Sequence, residues 1–408
     1  MSRKRRQVHR SALSERRFRR YFPASIFSSL GSWMLRFLLG WSAWDLTGSA
    51  TWVGIVAGLM LVPTFVLSPY FGVLSDRMNP RHGLMVSMLV HAGISLTGGL
   101  ASLFDSYSLT TLLILAFAMG AVTSGHTPMR LALVPLLVSR EALPSAVGMG
   151  AMTFNTARII GPAVGAASMS WLGTGAAYLI SVLMFLFSLA VLISLRRVGA
   201  RDARPREALA DQFRAGMAYA RGHAGIRLVF AFTVVNGLIG RTVIELLPAV
   251  SGQILSGDSK ALATLTACAG VGSIIGGLIV SRQSADLMRI FRLIAAGLLF
   301  ATLTLLTIQW CDTLPRLGAF IGLLSLTVTM AGIGCQTMTH LMVAEPYRGR
   351  VLSLWTVLAM GAPAVSAAAM GALADLVGFP AVLAIAGLLG ILAIVWLYAQ
   401  RAVVTEPA

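Results

Sequence analysis

Three arginines stand inside otherwise apolar stretches: Arg36 in Leu35-Arg36-Phe37-Leu38, Arg158 in Ala157-Arg158-Ile159-Ile160, and Arg241 in Ile239-Gly240-Arg241-Thr242. A guanidinium stays charged at physiological pH. Its planar fork of donors matches the paired oxygens of carboxylate, hydroxamate and catecholate groups. Glu245 follows Arg241 by one helical turn and shares its face, so its acidity responds to the arginine and to any anion that arrives there. Asn236, Trp33 and Trp41 add polar and stacking surface nearby. Asp45 and His91 are the further titratable groups that join Glu245 as proton-coupling candidates. Two readings stay open at this point. In one, Arg241 pairs with Glu245, and Arg158 with a carbonyl or Asp45, which merely neutralises buried charge. In the other, three bases against one or two acids leave a positive layer that attracts an anionic or chelating small molecule. Other chemistry finds no residues to carry it. His91, His126 and His340 lie in separate segments, and Cys268, Cys311 and Cys335 have no paired spacing, so neither a metal nor a disulfide framework is expected. There is no catalytic constellation, no cofactor motif and no Gly-x-x-x-x-Gly-Lys loop, so neither an enzyme nor an ATP-driven machine is expected.

The elements that must hold these residues follow from the composition. Of 408 residues, 57% are apolar and 12% charged, with a mean hydropathy of +0.80. A soluble domain needs about a quarter of its residues charged. A water-soluble globule is therefore excluded, and so is a disordered chain. Each helical span needs about 20 apolar residues. Such stretches fall near 23–46, 51–74, 83–104, 109–133, 144–168 and 174–195, then near 227–250, 261–281, 290–310, 316–343, 350–374 and 379–400. That predicts an all-α polytopic protein of about twelve spans in two sets of six. A basic segment at 1–22 precedes the first bundle (23–195), a linker at 196–226 leads to the second (227–400), and 401–408 is a tail.

Net charge is +17, from 32 Lys plus Arg against 15 Asp plus Glu. About 27 of the 32 basic residues fall in the N-terminal segment, the linker and the turns after even-numbered spans, whereas the opposite turns hold Lys260 and Arg316. The basic side is the cytoplasmic one, so both termini and the linker are expected there. Counted inward from that side, Arg36, Arg158 and Arg241 all lie about 20 Å deep. The cluster Arg3, Lys4, Arg5, Arg6, Arg10, Arg16, Arg17, Arg19 and Arg20 has no aromatic platform beside it, so it fits anionic membrane lipid and not nucleic acid. Within the linker, Leu209, Phe213, Met217 and Ala220 recur at helical spacing among polar residues, including Arg206, and predict an interfacial amphipathic helix.

A shift of 205 residues lays Arg36 on Arg241, Gly72 on Gly277 and Arg77 on Arg282, the mark of duplicated halves. Between the second and third spans the chain reads Gly72-Val73-Leu74-Ser75-Asp76-Arg77-Met78-Asn79-Pro80-Arg81. This resembles the Gly-x-Leu-x-Asp-Arg-x-x-x-Arg signature of the major facilitator superfamily. Gly72 permits close helix contact. Asp76 can accept bonds from a helix N-terminus or from Arg130, and the second-half copy Gly277–Arg282 lacks the acid. In span five, Gly161-Pro162-Ala163-Val164-Gly165 resembles the antiporter motif of the same superfamily's exporters, with Pro162 set to kink the helix. The arginine common in span four of many drug–proton antiporters is absent from Leu112–Gly125. With Glu245-Leu246-Leu247-Pro248 and Arg348-Gly349-Arg350-Val351, the whole chain beyond residue 20 resembles the branch that includes the enterobactin exporter and macrolide efflux pumps.

That resemblance implies a monomeric transporter of the bacterial inner membrane, working by alternating access and driven by inward proton flow. It also implies that spans one and seven face each other across a central cavity, making Arg36 and Arg241 quasi-symmetric partners. The arginines favour a siderophore-like polar cargo. Efflux of macrolides or other drugs, and movement of a lysophospholipid on the same fold, are the alternatives.

Overall fold

A computed structural model describes residues 11–195, 209–256, 259–282 and 286–404. The N-terminal residues 1–10, most of the linker and the last four residues lie outside it, and with them Arg3, Lys4, Arg5, Arg6, Arg10 and Arg206. The described chain is helical throughout. A helix satisfies every backbone donor and acceptor internally, which is what a lipid environment demands.

The helices are α1 (Arg16–Thr47), α2 (Ala50–Arg77), α3 (Pro80–Leu103), α4 (Leu109–Leu133), α5 (Leu143–Ser194), α6 (Leu209–Gly222) and α7 (Ala224–Val235). A π-helical stretch, Asn236–Arg241, joins α7 to α8 (Thr242–Glu245). Then come α9 (Leu247–Leu255), α10 (Ser259–Ser281), α11 (Leu287–Leu306), α12 (Leu314–Met342), α13 (Arg348–Val377) and α14 (Phe379–Ala399). Among the described residues, nine helices are long and apolar enough to cross a membrane. One of them, α5, runs for 52 residues, about twice what a bilayer core accommodates. It is broken at Gly173, whose φ of 84° no ordinary side chain favours, so two helices meet there at a kink. The two pieces of α5 therefore cover the fifth and the sixth expected spans.

Starts are set by local chemistry. Asn79 accepts a bond from Arg81 N (3.0 Å) with Pro80 in the first position of α3, Ser108 caps α4 through Thr111 N (3.2 Å), and Asp286 caps α11 through Arg289 N (3.0 Å). The chain divides by contacts into two compact units, one of residues 1–39 with 63–204 and one of residues 40–62 with 205–408. Helices α1 and α2 contribute to both.

The first unit is closed by α3 against α5, where Gly98 and Gly99 lie under Tyr178 and the Tyr178 hydroxyl meets that of Tyr107 (2.9 Å). Ser95 and Ser181 bond across the same pair of helices (2.9 Å). In hydrocarbon there is no hydrophobic drive between helices, so close approach and such interhelical bonds hold them together. The second unit has an apolar core around Phe232, Phe291, Ile294, Met338 and Ile394, with Phe232 edge-on to Phe291 at 5.5 Å. The expected amphipathic linker helix is α6. Met217 and Ala220 on it pack against Ile226, Val343, Val351 and Leu354 of the same unit.

Candidate functional site

The first unit gathers several of the residues singled out from sequence. The Arg36 guanidinium lies 5.9 Å from the Trp33 ring centre, and Trp33 stands edge-on to Phe154 of α5 at 5.5 Å. The Arg130 guanidinium of α4 lies 5.9 Å from the same Phe154 ring. Two cations thus flank a pair of edge-on aromatic rings across three helices, a ladder in the order cation, ring, ring, cation. Phe154 was not recognisable in the sequence, since one Phe in an apolar span reads as packing. Arg158 is half-buried one turn further along α5.

The Gly161-Pro162 motif explains why α1 and α5 come so close there. A β-carbon on Gly161 would stand 2.8 Å from Trp33 Cβ and 2.9 Å from the Leu30 carbonyl oxygen, and one on Gly165 would stand 3.0 Å from the Phe37 ring. The glycines let α5 lie on the stretch of α1 that carries Trp33 and Arg36.

Of the Gly72–Arg81 signature, the backbone of Gly72, Asp76 and Arg77 is helical, but their side chains lie outside the described set. Arg81 is placed clearly. Its guanidinium donates to the carbonyls of Leu192 (2.8 Å) and Ile193 (2.8 Å) in the last turn of α5. The motif's last arginine thus ties the start of α3 to the end of the sixth expected span.

His91 is buried and stacks on Phe185 at 4.9 Å. Its Nδ1 donates to the Ser87 carbonyl (2.8 Å), and the Ser87 hydroxyl reaches His126 Nδ1 at 3.1 Å. The two histidines of separate spans therefore share one serine, which their distance in sequence concealed. His91 Nε2 has no hydrogen-bond partner among the described residues.

In the second unit, Arg241 closes the π-helical stretch, and its Nε lies 3.9 Å from Glu245 Oε1. The pair expected from the four-residue spacing is present, with Glu245 the more buried member. Asn236 opens the same stretch and is buried, and its Oδ1 lacks a hydrogen-bond partner among the described residues. The widened turn is supported by an i to i+5 bond from Thr242 Oγ1 to the Gly237 carbonyl (2.8 Å) and by Ser366 Oγ of α13 donating to the Leu238 carbonyl (2.9 Å). Such turns recur at functional sites because they re-aim side chains without breaking the helix. Trp41 is buried and Asp45 is exposed near the end of α1, both in this unit. The chain thus assigns Arg36 and Arg158 to one unit and Arg241 to the other.

One polar cluster escaped the sequence reading. Asp375, near the end of α13, accepts bonds from Ser49 Oγ (2.6 Å), Thr51 Oγ1 (2.6 Å), Ala50 N (2.8 Å), Thr51 N (2.9 Å) and Gln253 Nε2 (3.1 Å). A signal existed: Gly371-x-Leu373-x-Asp375 repeats the Gly72-x-Leu74-x-Asp76 spacing.

The model of a family described as transmembrane secretion effectors matches residues 9–407. The chain belongs to this family of the major facilitator superfamily. Within and around the family, it is 25% identical over 273 residues to a staphyloferrin A transporter of Staphylococcus aureus, a match covering 64% of this chain and 66% of that one, just under two thirds of its length. It is also 25% identical to macrolide efflux protein A of Streptococcus pyogenes, covering 76% and 77%. Among solved structures, a point mutant of the nucleoside transporter NupG superposes with a TM-score of 0.77 at 10% identity, covering 94% of this chain and 99% of that one, which shows the shared fold. The solved structural neighbour is a transporter, and this chain is a multi-pass membrane protein.

Proposed function

We propose that the protein exports a small, polar, anionic molecule from the cytoplasm across the inner membrane in exchange for protons, with both termini cytoplasmic. The observation that carries this reading is the ladder Arg36–Trp33–Phe154–Arg130, two cations at either end of a pair of aromatic rings. Such a wall suits flat, oxygen-rich anions, which guanidinium forks grip and rings stack upon. Glu245 beside Arg241 is the proton-exchanging acid, because its ionisation is coupled to the guanidinium that faces it. Each proton moving inward supplies about 2.3 kcal/mol per 100 mV. His91, whose Nε2 has no hydrogen-bond partner among the described residues, is the secondary carrier. A siderophore-like chelator fits these groups best and agrees with the staphyloferrin A transporter standing among the relatives.

Macrolide efflux is the second reading, favoured by a relative of that name that covers more of the chain. Deleting the gene in its own host, growing cells in iron-poor medium, and measuring secreted and retained chelator beside drug sensitivity separates the two. Retained chelator with unchanged drug sensitivity is expected. Normal secretion with heightened macrolide sensitivity would overturn the siderophore assignment.

A further inference from the structure

Asp375 sits at a place where the contact grouping and the chain's duplication disagree. By sequence repeat, α2 is wholly a first-half helix. By contact, residues 40–62, which include its first half, belong to the second unit. What joins them there is small and polar. Gly54 lies against the Ala367 carbonyl, Gly371 against the Ala50 carbonyl, and a β-carbon on Gly58 would stand 3.3 Å from the Ala364 carbonyl. No large side chain interlocks in these three contacts. Backbones in such close contact separate without tearing apart a bulky apolar core, so the polar grip decides whether they stay together.

That grip is Asp375. Its two carboxylate oxygens accept five bonds, two from the unsatisfied first-turn amides of α2, two from the Ser49 and Thr51 hydroxyls, and one from Gln253 of α9. Every partner donates, and only an ionised carboxylate can receive all five at once. The negative charge also faces the positive end of the α2 dipole. Two further contacts of the same region, Trp44 against Gly252 and Gly40 beside Pro248, where an added β-carbon would stand 3.6 Å from the ring, are apolar and carry no such directional bonds.

We propose that Asp375 is the latch of the extracellular gate. It holds the first half of α2 against α13 while the transporter is closed to the outside, and it must let go for cargo to leave. This rests on the orientation given under Proposed function, which puts the turn between α1 and α2 on the outside. Asp375 is a positioning residue and touches no cargo.

The test uses the full chain in oriented vesicles, with Cys268, Cys311 and Cys335 replaced and one reporter, Ser42→Cys, introduced at a buried position of α1. A membrane-impermeant maleimide is added from outside. Asp375→Ala should speed labelling of the reporter about tenfold or more, since several charge-assisted bonds are lost together. Asp375→Asn should give a smaller rise, and Gln253→Ala, which removes one bond of the five, less than about threefold. Should Asp375→Ala misfold, Ser49→Ala with Thr51→Val removes the two hydroxyl bonds, keeps the carboxylate, and should speed labelling in the same sense. Unchanged labelling in a folded Asp375→Ala protein would overturn the latch and leave Asp375 as an ordinary helix cap. A separate Lys260→Cys reporter reads the orientation. If it labels only from inside, the stated topology fails, and the latch comparison is then made with reagent on that side. No cargo is needed, so a wrong substrate assignment leaves the result readable.

Discussion

Replacing Gly161 by Ala tests whether the exporter motif works by bringing α5 onto α1. The added methyl would stand 2.8 Å from Trp33 Cβ, 2.9 Å from the Leu30 carbonyl oxygen and 3.0 Å from Met34 N. Two of those three atoms are backbone and cannot swing aside. Restoring ordinary contact needs the helices to part by about half an ångström, and forced overpacking of this kind costs about 1–3 kcal/mol. Ala is the better helix former by about 0.5–1 kcal/mol, so the net loss falls within about 0–2.5 kcal/mol and centres on about 1 kcal/mol. Gly148 on the same helix is the control. A β-carbon there meets nothing within 4 Å, so Gly148→Ala should be neutral or slightly stabilising. The assay is the thermal unfolding midpoint of the two purified variants in one detergent, with cargo export measured alongside. Gly161→Ala should lower the midpoint and slow export, because the displaced stretch of α1 carries Trp33 and Arg36. Equal midpoints for the two variants would refute the packing argument.

The remaining predictions concern charge. Arg241→Ala should abolish export while the protein still reaches the membrane, and Arg241→Lys should lose more than about tenfold, because an ammonium lacks the planar fork. Glu245→Gln should leave cargo able to run down its own gradient but remove the drive from an imposed pH gradient, as measured in vesicles. Arg81→Ala should cost about 1 kcal/mol in unfolding measurements, since it releases the Leu192 and Ile193 carbonyls at a partly exposed helix end. Cys311 lies between α11 and α12, where burial chiefly raises its pKa, Arg316 lowers it and Asp312 raises it. Its thiolate fraction at neutral pH is therefore below that of a free cysteine and grows as the medium turns more alkaline. Asp312→Asn should speed maleimide labelling of Cys311 at fixed pH, and Arg316→Gln should slow it.

How far the sequence could be read follows from what each feature depends on. The spans were legible because the lipid core sets a minimum length of apolar helix, and Arg241 with Glu245 because one helical turn is a local distance. The ladder was only half legible. Trp33 and Arg36 share a helix, whereas Phe154 and Arg130 arrive from α5 and α4 by packing. The histidines stood out as titratable residues, but the Ser87 that joins His91 to His126 is one serine among many. The π-helical stretch at Asn236–Arg241 had no local signal. Ser366 of α13 bonds to its Leu238 carbonyl, and Gly237 lies under Pro363. Asp375 carried a visible repeat of the Gly-x-Leu-x-Asp spacing, yet near a helix end an acid reads as ordinary solvation until its five donors are seen.

The widened turn below Arg241 has a genetic consequence. In a regular α-helix each residue advances the chain by about 100°, so a one-residue deletion in a packed span turns everything beyond it onto the wrong face. The stretch Asn236–Arg241 already holds one residue more than an α-turn would. Removing Leu238 would draw it back to ordinary pitch while Phe232 before it and Glu245 after it keep their facing. This is a spot in a membrane-buried helix where the reading frame of the fold can lose a letter and still be read.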